Sequence, residues 1–234
     1  MGSSDIGKRT IVLRDGDCSG CGGEWVVEAG GELELYQLCT SGRHSVRILL
    51  GEGAKAKVVF AALSAGEVEY DYTMELNGEG ADVELHGLIM ATEGRKATVH
   101  TAMRHNAPHC HSDQQVRGVA ATKGYGLFDG LVYVAPDAQK TEAYQQSRNL
   151  LLDGSARIET QPQLEIYADD VRCSHGATVG QMGDEQIYYM RQRGLSEEAA
   201  RKLQLGGFVG ALLTHIDNDE LRGEFERALG IDEE

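Results

Sequence analysis

Three stretches of the chain share one pattern: GGELEL (Gly30 to Leu35), GAKAKV (Gly53 to Val58) and GADVEL (Gly80 to Leu85). Each sets a glycine turn ahead of alternating residues. Leu33 and Leu35 alternate with Glu32 and Glu34, and Val83 and Leu85 with Asp82 and Glu84. A period of two sends one set of side chains inward and the other outward, which predicts half-buried strands. The starts of the three stretches are 23 and 27 residues apart, and GSARIE (Gly154 to Glu159) reads as a looser later copy. Repeats of this length built from strands and turns predict a β-solenoid, whose turns bury their inner faces only by stacking. A β-sandwich is made of the same local pieces, and periodicity alone does not separate the two.

The register changes after Gly183. Asp184 is the expected N-cap of a helix through EQIYYMRQR that stops at Gly194. Ser196 caps a second helix with Glu197 and Glu198 in its first turn. There Leu203, Leu205, Phe208 and Leu212 form an apolar stripe, weakened by the Gly206–Gly207 pair. A third helix is expected over Asp219 to Leu229. The chain therefore divides into an all-β body, residues 1–183, and a small C-terminal helical region, residues 184–234.

Composition sharpens this picture. Glycine supplies 30 of 234 residues and proline 3, as expected where many short strands meet tight corners. A formal charge of -15 excludes ordinary nucleic-acid binding and an anionic membrane surface, both of which need basic patches. No apolar run approaches the roughly 20 residues of a membrane-spanning helix. The segment from Asp217 to Glu234 holds eight acids and two arginines, so it either faces solvent or meets a basic partner. Five cysteines with no secretory signal core predict free thiols in a cytoplasmic protein.

The common catalytic signatures are missing: no Walker A loop, no dinucleotide fingerprint, no HExxH and no GxSxG elbow. What remains is a set of candidate ligands. Cys18 and Cys21 form a lone CxxC, half of what a structural zinc requires. In HNAPHCHS, an extended backbone would put His109 and His111 on one face, with Cys110 on the other. In ADDVRCSHGATVG, Cys173 and His175 are two apart and likewise share a face of an extended chain. Thiolate and imidazole suit iron, zinc or copper. A Cys–His nucleophilic pair would also need an orienting group and an oxyanion site, and the sequence names neither.

The segments KTEAYQQSRNLLL (Lys140 to Leu152), TQPQLEIYADDVRCSHGATVG (Thr160 to Gly180), APHCHS from Ala107 and YYMRQRGLSEEAA resemble the shared core of SufB/SufD proteins. These are scaffold components of the SUF iron–sulfur cluster assembly system. The likeness runs from about Leu33 to Gly210 and leaves Cys18 and Cys21 outside it. Within the family the chain is more similar to SufD. Pro162 stands where SufB carries a cysteine proposed as acceptor, and His175 is followed by Gly176 where SufB has glutamate.

The resemblance implies a flattened right-handed parallel β-helix followed by helices that dock a SufC-like ATPase. It implies a non-enzymatic scaffold paired with a SufB-like subunit, with His175 and Cys173 at the interface beside a nascent cluster. No cofactor would be held permanently, and an iron–sulfur cluster or iron would sit there only transiently. Contact with the ATPase is expected between Leu195 and Leu213, through Leu195, Leu205, Phe208 and Leu212. A self-pairing homodimer with a metal site built from two copies is the alternative, and an independent Cys/His-dependent enzyme a third reading.

Overall fold

The computed structural model describes residues 8–14 and 22–231. The strands are β1 (Lys8–Arg14), β2 (Gly22–Val27), β3 (Glu32–Cys39), β4 (Gly42–Leu50), β5 (Lys55–Leu63) and β6 (Val68–Leu76). They continue as β7 (Asp82–Ala91), β8 (Lys96–His105), β9 (His111–Ala120), β10 (Tyr125–Val134), β11 (Glu142–Leu151), β12 (Arg157–Ile166) and β13 (Arg172–Gln181). Odd-numbered strands form one sheet in the order β1-β3-β5-β7-β9-β11-β13, and even-numbered strands form the facing sheet, β12-β10-β8-β6-β4-β2. Every pairing is parallel. Successive strands therefore alternate between sheets, and the chain winds as a flattened parallel β-helix rather than a sandwich.

The glycine repeat marks the turns of this coil. Glu32 pairs with Lys55 and Lys55 with Asp82, reproducing the 23- and 27-residue spacings. GSARIE, by contrast, leads into β12 of the opposite sheet, so it is not a further copy in that column. Ahead of the odd strands, Gly30, Gly53, Gly80, His109 and Lys140 all adopt positive φ, from 57° to 71°. Each donates its backbone N–H to the carbonyl of the next turn: Glu52, Glu79, Pro108, Gln139 and Asp170. Glycine takes this left-handed conformation without a Cβ clash. Later turns impose it on a histidine and a lysine.

Inward-facing side chains stack in columns. One runs Ile11, Leu35, Val58, Leu85, Gln114, Gln145, His175; its neighbour runs Leu33, Ala56, Val83, Ser112, Ala143, Cys173. In the early turns Phe60 stacks on Tyr72 at 5.1 Å and meets Tyr70 edge-on at 5.6 Å. Gly87 lies beside Phe60 in register, where a Cβ would come within 2.1 Å of the ring. Large and small residues thus interlock at close-packed density.

Three helices follow: α1 (Asp184–Gln192), α2 (Glu197–Gly210) and α3 (Asp219–Leu229), with a 3₁₀ turn at Leu213–His215 between the last two. Ser196 caps α2 by accepting from the Ala199 N–H, and Asn218 caps α3 through the Leu221 N–H. Asp184 is not the cap of α1; it is the first helical residue, and Gly183 precedes it without a side-chain bond. The helices return to the outer face of the odd sheet. Val209, Leu212, Ile216, Leu221 and Phe225 pack on Tyr36, Val59, Ala61 and Leu88. The acidic segment helps to pin them: Glu224 pairs with Arg14 at 2.6 Å and Asp217 with Lys57 at 3.0 Å. Those acids thus face the chain's own cations. Among the described residues no helix is long and apolar enough to cross a membrane.

Candidate functional site

Among the described residues, the last turn of the coil, β12 and β13, has no further turn stacked on it. Its inner row would be core anywhere else in the molecule. Cys173 pairs with Ala143 and His175 with Gln145, both buried, so Cys173 and His175 point to the interior side of the sheet. At this end, among the described residues, no further strand stacks over them, and His175 is exposed. Cys173 is half-buried against the core, and nearly every residue of β13 after it is exposed. Val179 is 46% exposed, Ile166 38% and Tyr167 59%. Such an edge carries an unsatisfied row of backbone donors and acceptors as well as apolar side chains.

The chemistry available here is one thiol and one imidazole. Burial raises the Cys173 thiol above its ordinary value, and a hydrogen bond with the Ala143 backbone opposes this. The thiol therefore stays protonated at neutral pH until a metal or a positive charge arrives. Asp170, two residues before Arg172, pairs with Lys140 instead of the cysteine. Behind His175 the column stays polar: Gln145 is 2% exposed and neither its amide nitrogen nor its oxygen has a partner. Pro162 occupies the inner row of β12, in register with Gly130.

Other expected ligands are not brought together. His109 sits in the left-handed turn rather than on an extended strand, so the alternation that would align it with His111 is broken. His111 instead pairs with Asp82 at 2.8 Å. Cys110 is buried beneath the turn. Cys18 and Cys21 lie outside the described residues. Among the described residues, Glu69, Asp71 and His100 do converge on the outer face of the even sheet. Arg43 already bridges those two carboxylates, at 3.5 and 3.0 Å. The sequence reading missed this group, because strand register across separate turns puts Asp71 beside His100.

The apolar stripe expected to meet a partner belongs largely to the chain's own packing. Leu212 is 2% exposed and buried on the sheet, and Leu205 and Phe208 pack against the same cluster. Phe208 also lies 5.2 Å from the Arg117 guanidinium. Leu203 breaks from the stripe and is 60% exposed. The outward apolar groups of the helical region are Tyr188, Tyr189 and Leu203. Leu195 lines a groove of about 670 Å³ with Tyr188 and Arg191.

Comparison with known proteins identifies the family. The family described as "SUF system FeS cluster assembly, SufBD core domain" matches residues 17–208, so it begins before Leu33 and takes in Cys18 and Cys21. The iron–sulfur cluster assembly protein SufD of Escherichia coli is 35% identical over 183 residues, covering 78% of this chain and 43% of that protein. A SufBD family protein of Synechocystis is 31% identical, covering 78% of this chain and 40% of its own length. One from Mycobacterium leprae is 29% identical, covering 85% and 54%. The chain thus spans about half the length of these relatives. Given the parallel β-helix, the helices behind it and a match over most of its length, the chain belongs to the SufB/SufD core-domain family of the SUF iron–sulfur cluster assembly system and is most similar to SufD.

Proposed function

We propose that this chain is a non-catalytic scaffold subunit that joins a SufB-like partner through the open last turn of its β-helix. The iron–sulfur cluster is cargo, assembled at that junction. One observation carries the reading: Cys173 and His175 lie on an interior row over which, among the described residues, no further turn stacks. Two ligands are too few to hold a cluster, which usually takes four thiolate or imidazole donors. A partner edge stacked on β12 and β13 would supply the missing donors and bury the exposed Val179 and Ile166. His175 would be a direct ligand or proton carrier there, and Cys173 the second donor once ionised.

A SufC-like ATPase would meet the helical region. Tyr188, Tyr189 and Leu203 offer the exposed apolar surface, with Leu195 in the groove beside them. Leu205, Phe208 and Leu212 would act indirectly, by fixing the helices to the sheet and passing their movement to the β-helix.

The test is anaerobic co-expression with SufB and SufC, comparing wild type with His175→Ala by complex mass and by iron and sulfide content. The expected result is a stable mixed complex in both cases, with a several-fold lower cluster yield in the variant. A chain that remains apart from both partners sinks the reading. A homodimer whose metal is lost with His175→Ala would replace the SufB-like partner by a second copy.

A further inference from the structure

On the outer face of the odd sheet, β7 presents Glu84 and His86, two residues apart and hence on one side of the strand. His215, in the 3₁₀ turn between α2 and α3, lies directly over them. The imidazoles of His86 and His215 stack with centroids 3.4 Å apart and planes 11° from parallel. Nε2 of His86 is 3.4 Å from a Glu84 carboxylate oxygen. Ligand atoms from the three residues all lie within 4.8 Å of one another.

His86 is 3% exposed, because the helical region covers it, and its Nδ1 has no hydrogen-bond partner. Leaving a buried polar atom unpaired is costly, so such an atom calls for an explanation. Packing alone does not supply one, since an apolar side chain would fill the place without that cost. An unprotonated imidazole nitrogen offers a lone pair, the form that binds metals.

The surroundings mix both signs: Glu84 and Asp113 favour a positive charge at His215, and Lys57 and Arg117 oppose it. Asp113 lies in register with Glu84 on the neighbouring strand. Of the nearby cations, Lys57 is held by Asp217 and Arg117 lies over Phe208. The stacked rings hold their lone pairs roughly parallel, so binding one ion through both requires the half-buried His215 to change rotamer. Two imidazoles and a carboxylate form the donor set that zinc and ferrous iron accept, with water in the remaining positions.

We propose that Glu84, His86 and His215 form a binding site for a divalent transition metal, zinc or ferrous iron, that clips the helical region to the β-helix. The inference does not depend on the SufB-like junction, which lies at β12 and β13. Its ligands come from both regions, so the metal binds only the docked arrangement and stabilises it by linkage.

The metal-stripped chain, carrying Cys18→Ser and Cys21→Ser to remove that pair, is titrated with zinc in one arm and anaerobically with ferrous iron in the other. Binding is read by calorimetry, and docking by amide hydrogen exchange across α2 and α3. One equivalent should bind and slow exchange in both helices. Glu84→Gln and His215→Ala should each weaken binding by at least about tenfold and remove the slowing, while His100→Ala leaves both unchanged. Zinc or iron as the tighter ligand identifies the metal, and either supports the site. Glu84 is exposed, so Glu84→Gln remains informative even if His215→Ala loosens the fold. No binding of either metal overturns the proposal. So does affinity unchanged in Glu84→Gln, or lost in His100→Ala.

Discussion

The early and late turns of the β-helix share one backbone and differ in what they enclose. Leu35, Val58 and Leu85 occupy one inner column through β3, β5 and β7. At the next two levels the same column holds Gln114 and Gln145, and it ends at His175. The parallel hydrogen-bond ladder continues without interruption through both parts. Backbone pairing therefore sets the architecture, while the interior side chains are free to change character along the axis. Where turns are stacked on both sides, Phe60, Tyr70 and Tyr72 close-pack. Towards the open end, Thr101 donates to Gln114 at 2.9 Å, and His105 pairs with Ser112 at 2.9 Å. Polar groups are retained in the part of the interior that leads to the candidate junction.

The largest effect should come from breaking the apolar half. Phe60→Ala removes a fully buried ring from contact with Tyr70 and Tyr72 and leaves Gly87 facing a void. A loss of about 3–5 kcal/mol is expected in chemical denaturation. A loss under about 1 kcal/mol would mean that the early turns are not the stabilising half.

The polar half should respond to pH. Burial, and secondarily the charge of His111, lower the pKa of His105 from its ordinary 6.5 to about 4. The unfolded chain then takes up a proton before the folded one does. His105 costs nothing above about pH 6.5, and stability falls as pH drops from there towards 4, by roughly 2 kcal/mol at pH 5. His105→Gln should flatten that part of the stability–pH curve. An unchanged curve would show that the wild-type ring is protonated inside the fold.

The smallest effect tests whether the late polarity serves stability at all. Both amide atoms of Gln145 are buried and unpaired, so Gln145→Met should be neutral or stabilising within about 1 kcal/mol. If the variant loses more than about 2 kcal/mol, its amide is satisfied by water held inside the late turns, and the contrast with the early turns is one of hydration.

Much of this was legible in the chain because the signals are local. Alternation at Leu33, Leu35, Val83 and Leu85, with glycine at the early positive-φ turns Gly30, Gly53 and Gly80, encodes strand, turn and spacing within a few residues. Ser196 and the run Asp219 to Leu229 did the same for the helices. His109 misled the reading because it takes a turn conformation that glycine fills in earlier levels, a fact visible only once the turns are stacked. The apolar stripe through Leu205, Phe208 and Leu212 was correctly apolar, yet helical periodicity does not say whether such a face meets a partner or its own sheet. By itself, then, the sequence determined the repeating strand-and-turn pattern, the position of the helical region and the family to which the chain belongs. Only the tertiary structure decided which side chains share a column, that His175 ends one of them, and that Glu84 and His86 meet His215. Those pairings depend on register between turns and on the docking of distant segments, where contacts form across tens to more than a hundred residues and leave no local periodicity to read.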